Sequence, residues 1–167
     1  GRMAGGLDVG WADGVEWRAG LALENLLPGR RLPELDGRLS GDLTSSGRLA
    51  DEGPVGDASL ELAGSLRGQA LWLNSQARLD GAHWEVPELE LLLGDNRVQG
   101  AARQTDQLQA QLEWNLPALA QLWSGIEGRI EGRASGRNLL SEPRGSMAIL
   151  GQGLELADYD VALARFE

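Results

Sequence analysis

The chain has no cysteine and no lysine, and only one histidine, one tyrosine and one phenylalanine in 167 residues. Without cysteine, disulfides, thiolate metal sites and thiol nucleophiles are excluded. All fifteen cationic side chains are therefore arginine, set against twenty-five carboxylates, for a formal charge of −10. The basic surface that phosphate attraction requires is missing, which argues against nucleic acid as a partner. No apolar run approaches the ~20 residues that a membrane-crossing helix needs, and no charged-then-apolar leader opens the chain. At this length one domain is expected over 1–167, with room for a sizeable core. The opening Gly-Arg-Met-Ala-Gly-Gly and an ending in mid-alternation point to a piece of a longer protein.

What the sequence does contain is alternation with a period of two. In residues 35–49 the odd positions carry Leu35, Gly37, Leu39, Gly41, Leu43, Ser45, Gly47 and Leu49, and the even positions are polar. Successive strand side chains point to opposite faces, so this is a half-buried strand whose apolar face is half glycine. The same period continues through 15–25, 60–68, 71–79, 84–93, 98–102, 108–116 and 126–136. Apolar parity switches near Gly68 to Ala70, which predicts a turn, and Pro87 demands an edge, bulge or break. Gly94-Asp95-Asn96 reads as a hairpin reversal, as does Ala12-Asp13-Gly14. Gly151-Gln152-Gly153 also reads as a turn, because it lacks the third glycine and the helix of a phosphate loop. Only the stretch after Asn115 looks helical: Pro117 suits a first turn, and Leu119, Leu122 and Trp123 share one side over two turns at most.

The pattern repeats. Gly-Arg-Leu-Ser-Gly at 37–41 corresponds to Gly-Arg-Ile-Glu-Gly at 128–132, a shift of ninety-one residues, and Leu-Glu-Asn-Leu-Leu-Pro at 23–28 and Glu-Trp-Asn-Leu-Pro at 113–117 precede them as similar connectors. Two approximate copies, about 15–75 and 106–165, suggest amphipathic strands stacked along an axis.

Catalytic chemistry has little to work with. His83 lies alone in a strand, the carboxylates occupy solvated strand positions, and neither a metal-ligand cluster nor a nucleophile motif is present, so no enzyme activity and no cofactor are expected. The six tryptophans are the conspicuous group. Trp17, Trp72, Trp84 and Trp114 are read on the apolar parity of their strands, either as large residues of a sandwich core or as the lining of an apolar groove. Repeated glycines reduce the area available for sandwich packing and curve a sheet, which favours a folded-over sheet with an unfilled apolar interior.

The order of motifs in 89–149 resembles the TamB family of the AsmA-like superfamily. These motifs are a Gly-Asp-Asn-Arg hairpin, a Gln-rich alternating strand, an Asn-Leu-Pro turn ending in Leu-Trp, a Gly-x-x-x-Gly, and a Gly-Arg-Asn-Leu…Glu-Pro-Arg run. Residues 15–70 look like a weaker second copy. The resemblance implies an all-β, elongated, taco-like antiparallel sheet, strongly curved, with an apolar interior and at most one short helix. It further implies a periplasmic part of a protein anchored in the inner membrane of a Gram-negative bacterium. The implied partners are phospholipid acyl chains or unfolded outer-membrane protein strands, with a TamA-like outer-membrane barrel meeting parts outside this chain. The anchor helix and the segment that meets the barrel are not found in these residues.

Trp17, Leu21, Leu39, Leu43, Leu62, Trp72, Leu91, Val98, Leu108, Leu112, Trp114 and Ile130 are expected to line the trough. Gly37, Gly41, Gly128 and Gly132 are expected to give curvature and clearance. The expected function is phospholipid conduction between the membranes, or support of outer-membrane protein and autotransporter assembly. The alternatives are a chaperone-like β-augmentation platform for barrel strands and a sealed structural β-solenoid.

Overall fold

A computed structural model describes residues 1–11, 14–30, 32, 35–123, 125–138, 143–156 and 159–166, with side chains described through residue 155. The expected turn at 12–13 and positions 139–142 of the Asn-Leu…Glu-Pro run lie outside these residues.

Each alternating stretch forms a strand, and every strand pairs with the next. In chain order they are β1 (Arg2–Gly10), β2 (Glu16–Leu26), β3 (Gly37–Ala50), β4 (Gly53–Leu66), β5 (Gln69–Asp80) and β6 (His83–Leu93). Then follow β7 (Asn96–Gln104), β8 (Leu108–Leu116), β9 (Ile126–Arg137), β10 (Arg144–Leu156) and β11 (Tyr159–Phe166). They make one antiparallel eleven-stranded sheet in sequence order, and β1 does not pair with β11, so the sheet is not closed into a barrel.

Short 3-10 turns lie at Pro28–Arg30, starting on the proline of Asn-Leu-Leu-Pro, and at Leu119–Gln121, just after Asn-Leu-Pro. A shift of ninety-one residues carries the first turn onto the second, and carries β2 to β5 onto β8 to β11 within a few residues. The first of these turns has no periodic signal, and the second is shorter than the two turns allowed by the sequence. β1 begins inside the patternless Gly-Arg-Met-Ala-Gly-Gly segment, held by its backbone register to β2 from Arg2↔Glu24 to Gly10↔Glu16.

Pro87 sits at a bulge between Val86 and Leu89 against β7, so the missing N–H falls where the ladder is already interrupted. Gly151-Gln152-Gly153 is not a turn. It lies within β10, where the register to β9 slips between Gln152 and Glu155, and Gly153 absorbs the distortion at φ +56°. The loop chemistry is the same, but it serves a bulge that lets the strand continue.

A sheet one layer thick has little interior. Among the described residues, Leu93 and Leu119 are the only buried large apolar side chains. The solvent-accessible surface is 11586 Å², whereas a compact monomer of 17.9 kDa exposes about 8,000 Å². The excess of roughly 3,500 Å² is what two uncovered sheet faces contribute. Cohesion rests on continuous backbone ladders and cross-strand side-chain pairs, each pair contributing about 0.2–1 kcal/mol.

Candidate apolar face

Residues directly opposite in register share a face, so the pairings sort every side chain without further assumption. One cross-sheet row runs Leu23, Gly41, Leu62, Leu73, Leu91, Val98, Trp114, Gly132 and Ile149, from β2 to β10. A second runs Leu21, Leu43, Leu60, Ser75, Leu89, Gly100, Leu112, Ala134 and Met147. No charged side chain enters either row. Trp17 and Leu108 belong to a further row of the same face that passes through Leu79 and Trp84, while Leu39 stands opposite Leu26 and Gly64. Ile130 stands between Leu116 and Gly151.

Trp72 is different. It pairs with Ala63 and Leu92, one position out of phase with Leu71 and Leu73, and so projects from the opposite face. The run Leu71-Trp72-Leu73 is apolar on both faces at once, and alternation cannot assign its middle residue. The remaining eleven expected lining residues fall on one face. Sequence reasoning did not single out Leu23, Leu60, Leu73 and Leu89, although all four carry the right parity.

The apolar face is open. Leu43 keeps 38%, Leu112 39% and Trp84 37% of their surface in solvent. The open depression of about 520 Å³ over β7 to β10 belongs to the other face: Arg97, Glu113, Glu131 and Arg133, which line it, stand one position out of phase with the row through Trp114, Gly132 and Ile149.

The glycines do two different things. A Cβ on Gly37 or Gly41 would be driven into the carbonyl oxygens of Ser65 and Glu61 on β4. At these positions the Cα–Cβ direction points along the sheet at the neighbouring strand, as close coiling of the β3–β4 pair requires. Gly128, at φ +102°, faces the β10 bulge and has the Gly153 carbonyl in the place a side chain would take. Gly132 is another matter: a Cβ there would come within 2.6 Å of Trp114 Cζ2 and of the Ala148 oxygen. The indole of Trp114 lies across β9 in the space the glycine leaves. Trp17 covers Gly47 on β3 in the same way, and its Nε1–H donates to Ser45 Oγ at 3.2 Å. These two rings pave the face, so part of the expected clearance is filled by tryptophan from the adjacent strand.

Apart from the Ala63, Trp72 and Leu92 row, the other face is mainly polar. One row reads Asp8, Arg18, Ser46, Asp57, Arg78, Glu85 and Arg103, with Arg78 and Asp57 3.8 Å apart. His83 is exposed opposite Asp80. Among the described residues no group of three or more His, Asp or Glu could hold a metal ion, and no helix is long and apolar enough to cross a membrane.

An open antiparallel meander with one face apolar from β2 to β10 is a curled, one-sided sheet rather than a globule with a closed core. Across its whole length, 1–167, the chain matches the family described as TamB, N-terminal domain, and belongs to that family. It is also 27% identical over 163 residues to the translocation and assembly module subunit TamB of Haemophilus influenzae, covering 94% of this chain and 12% of that relative. The chain thus spans about an eighth of the relative's length. No solved structure matches it.

Proposed function

We propose that this chain is a stretch of a periplasmic trough, part of a protein anchored in the inner membrane of a Gram-negative bacterium, that conducts phospholipids between the inner and outer membranes. Through that role it supports outer-membrane protein and autotransporter assembly alongside a TamA-like barrel partner. The observation that carries this reading is the uninterrupted row from Leu23 to Ile149 on a face that, among the described residues, is covered only by the β8–β9 connector at the ends of β6 and β7. A contiguous apolar surface of this kind needs a cover, and the family to which the chain belongs works in an envelope assembly module.

Carrying an acyl chain through water costs about 0.8 kcal/mol per methylene. Neighbouring rows of similar side chains, two residues or roughly 6.7 Å apart along the strands, give the chain many shallow and nearly equal seats. It slides from row to row without returning its methylenes to water, while the head group stays at the open rim. No covalent step is involved, and no side chain acts as acid, base or nucleophile.

Leu112, opposite Gly100 and Ala134, is the position at which to test this. A Leu112→Arg variant places a guanidinium among the apolar rows, and lipid photocrosslinking and transport should be lost while the far-UV circular dichroism is unchanged. Undiminished transport by a folded Leu112→Arg protein overturns the reading.

A further inference from the structure

Packing on this open sheet is concentrated at one spot. Leu119, in the connector between β8 and β9, is 1% exposed, and Asn96, the first residue of β7, is 2% exposed. Asn96 stands opposite Leu93, which stands opposite Leu71, so it is a polar residue on apolar parity. Its Nδ2 donates toward the carbonyls of Leu93 at 3.2 Å and Ala118 at 3.1 Å and toward Gln121 Oε1 at 3.1 Å. Its Oδ1 accepts the Ala118 N–H at 3.2 Å. Both main-chain groups of Ala118 are thus held by one buried amide.

Two more attachments complete the seam. Gln121 Oε1 accepts the Asp95 N–H at 3.0 Å, and Gln121 Nε2 donates to Asp95 Oδ2 at 2.9 Å. Arg67, in the turn between β4 and β5, donates to the Leu122 carbonyl. The connector leaves β8, crosses the ends of β7 and β6 on the apolar side, and is tied to the β4–β5 turn. A loop that only joined two adjacent strands would need none of these bonds.

We propose that residues 117–123 form a strap, pinned through Asn96, that roofs the ends of β6 and β7 on the apolar face and holds a bound acyl chain in the trough by closing that side. The inference rests on the groove reading above and adds a retention device to it. Burial of Leu119 seats the strap directly on the sheet as a fixed wall, and the amide of Asn96 provides satisfied partners where the strap backbone turns inward. The corresponding connector one repeat earlier carries the 3-10 turn Pro28–Arg30, but Gly5 stands where Asn96 would be and no residue of that turn is buried, so the pinned strap is particular to the β8–β9 connector.

The test loads the 167-residue chain with an NBD-labelled palmitoyl phospholipid and follows its release to acceptor vesicles, alongside amide hydrogen exchange. In an Asn96→Ala variant the Ala118 amide should exchange faster, and the probe should leave at least tenfold faster with the amount initially bound unchanged. Faster exchange at Ala118 with an unchanged release rate overturns the strap. If Asn96→Ala disturbs β6 and β7 themselves, Gln121→Ala removes the Asp95 attachment from outside the sheet and is read by the same two measurements. Failure of the unaltered chain to take up any probe overturns the groove reading itself, which distinguishes the two outcomes.

Discussion

Gly41 and Gly20 lie on adjacent strands, and the same substitution should have opposite effects at the two positions. A Cβ at Gly41 is driven into the Glu61 carbonyl oxygen and comes within 2.9 Å of Leu62 Cα, whereas a Cβ at Gly20 meets nothing within 4 Å. Backbone cannot rotate away as a side chain can, so Gly41→Ala must push β3 and β4 apart. Steric insertion of this kind costs about 1–3 kcal/mol. At Gly20 the alanine restricts the unfolded chain and improves strand propensity, a gain of about 0.4–1 kcal/mol. A chain of this length shifts its melting temperature by about 2–4 °C per kcal/mol, so Gly41→Ala should melt roughly 2–12 °C lower and Gly20→Ala slightly higher than the parent. Urea titration gives the same comparison through the midpoints at unchanged slope. Equal small shifts for the two variants would refute the claim that glycine on the apolar face of β3 is required by close strand approach.

Trp114 and Gly132 should behave as a unit, because the ring occupies the space the glycine leaves. Trp114→Ala and Gly132→Ala, alone and together, are expected to show a coupling energy of about 0.5–3 kcal/mol by denaturant melts, and strict additivity would separate them. On the polar face Asp42 and Glu61 stand directly opposite. Glu61→Arg should therefore stabilise the chain by a few tenths to about 1 kcal/mol in low salt, with the gain shrinking as salt is added.

The sheet was legible because alternation is a local property. Leu62 and Leu73, or Leu112 and Trp114, can be assigned a common face from parity and the position of the turns. Trp72 could not be placed in this way, since apolar neighbours on both sides erase the alternation and only its register with Ala63 and Leu92 decides. β1 was also hidden, because Met3, Ala4, Gly5 and Gly6 carry no pattern and the strand exists through its ladder to β2.

Gly151-Gln152-Gly153 has turn composition, but a bulge uses the same residues to keep a strand going. Asn96 left a signal that parity could have caught: it begins the series Asn96, Val98, Gly100, Ala102 as a polar residue on apolar parity. What parity cannot supply is the partner, which lies twenty-two residues away at Ala118. The glycines were recognised as spacing, but the tryptophans that fill two of the gaps come from the adjacent strand, and that depends on register.

The most direct measurement of the central claim uses two neighbouring residues on opposite faces. Leu73 lies in the row between Leu62 and Leu91, and Trp72 projects from the other side. A photoactivatable amino acid placed at 73 in cells should capture phospholipid, and the same group at 72 should capture little or none. Equal capture from both positions, or capture from 72 alone, would contradict an apolar face that carries acyl chains.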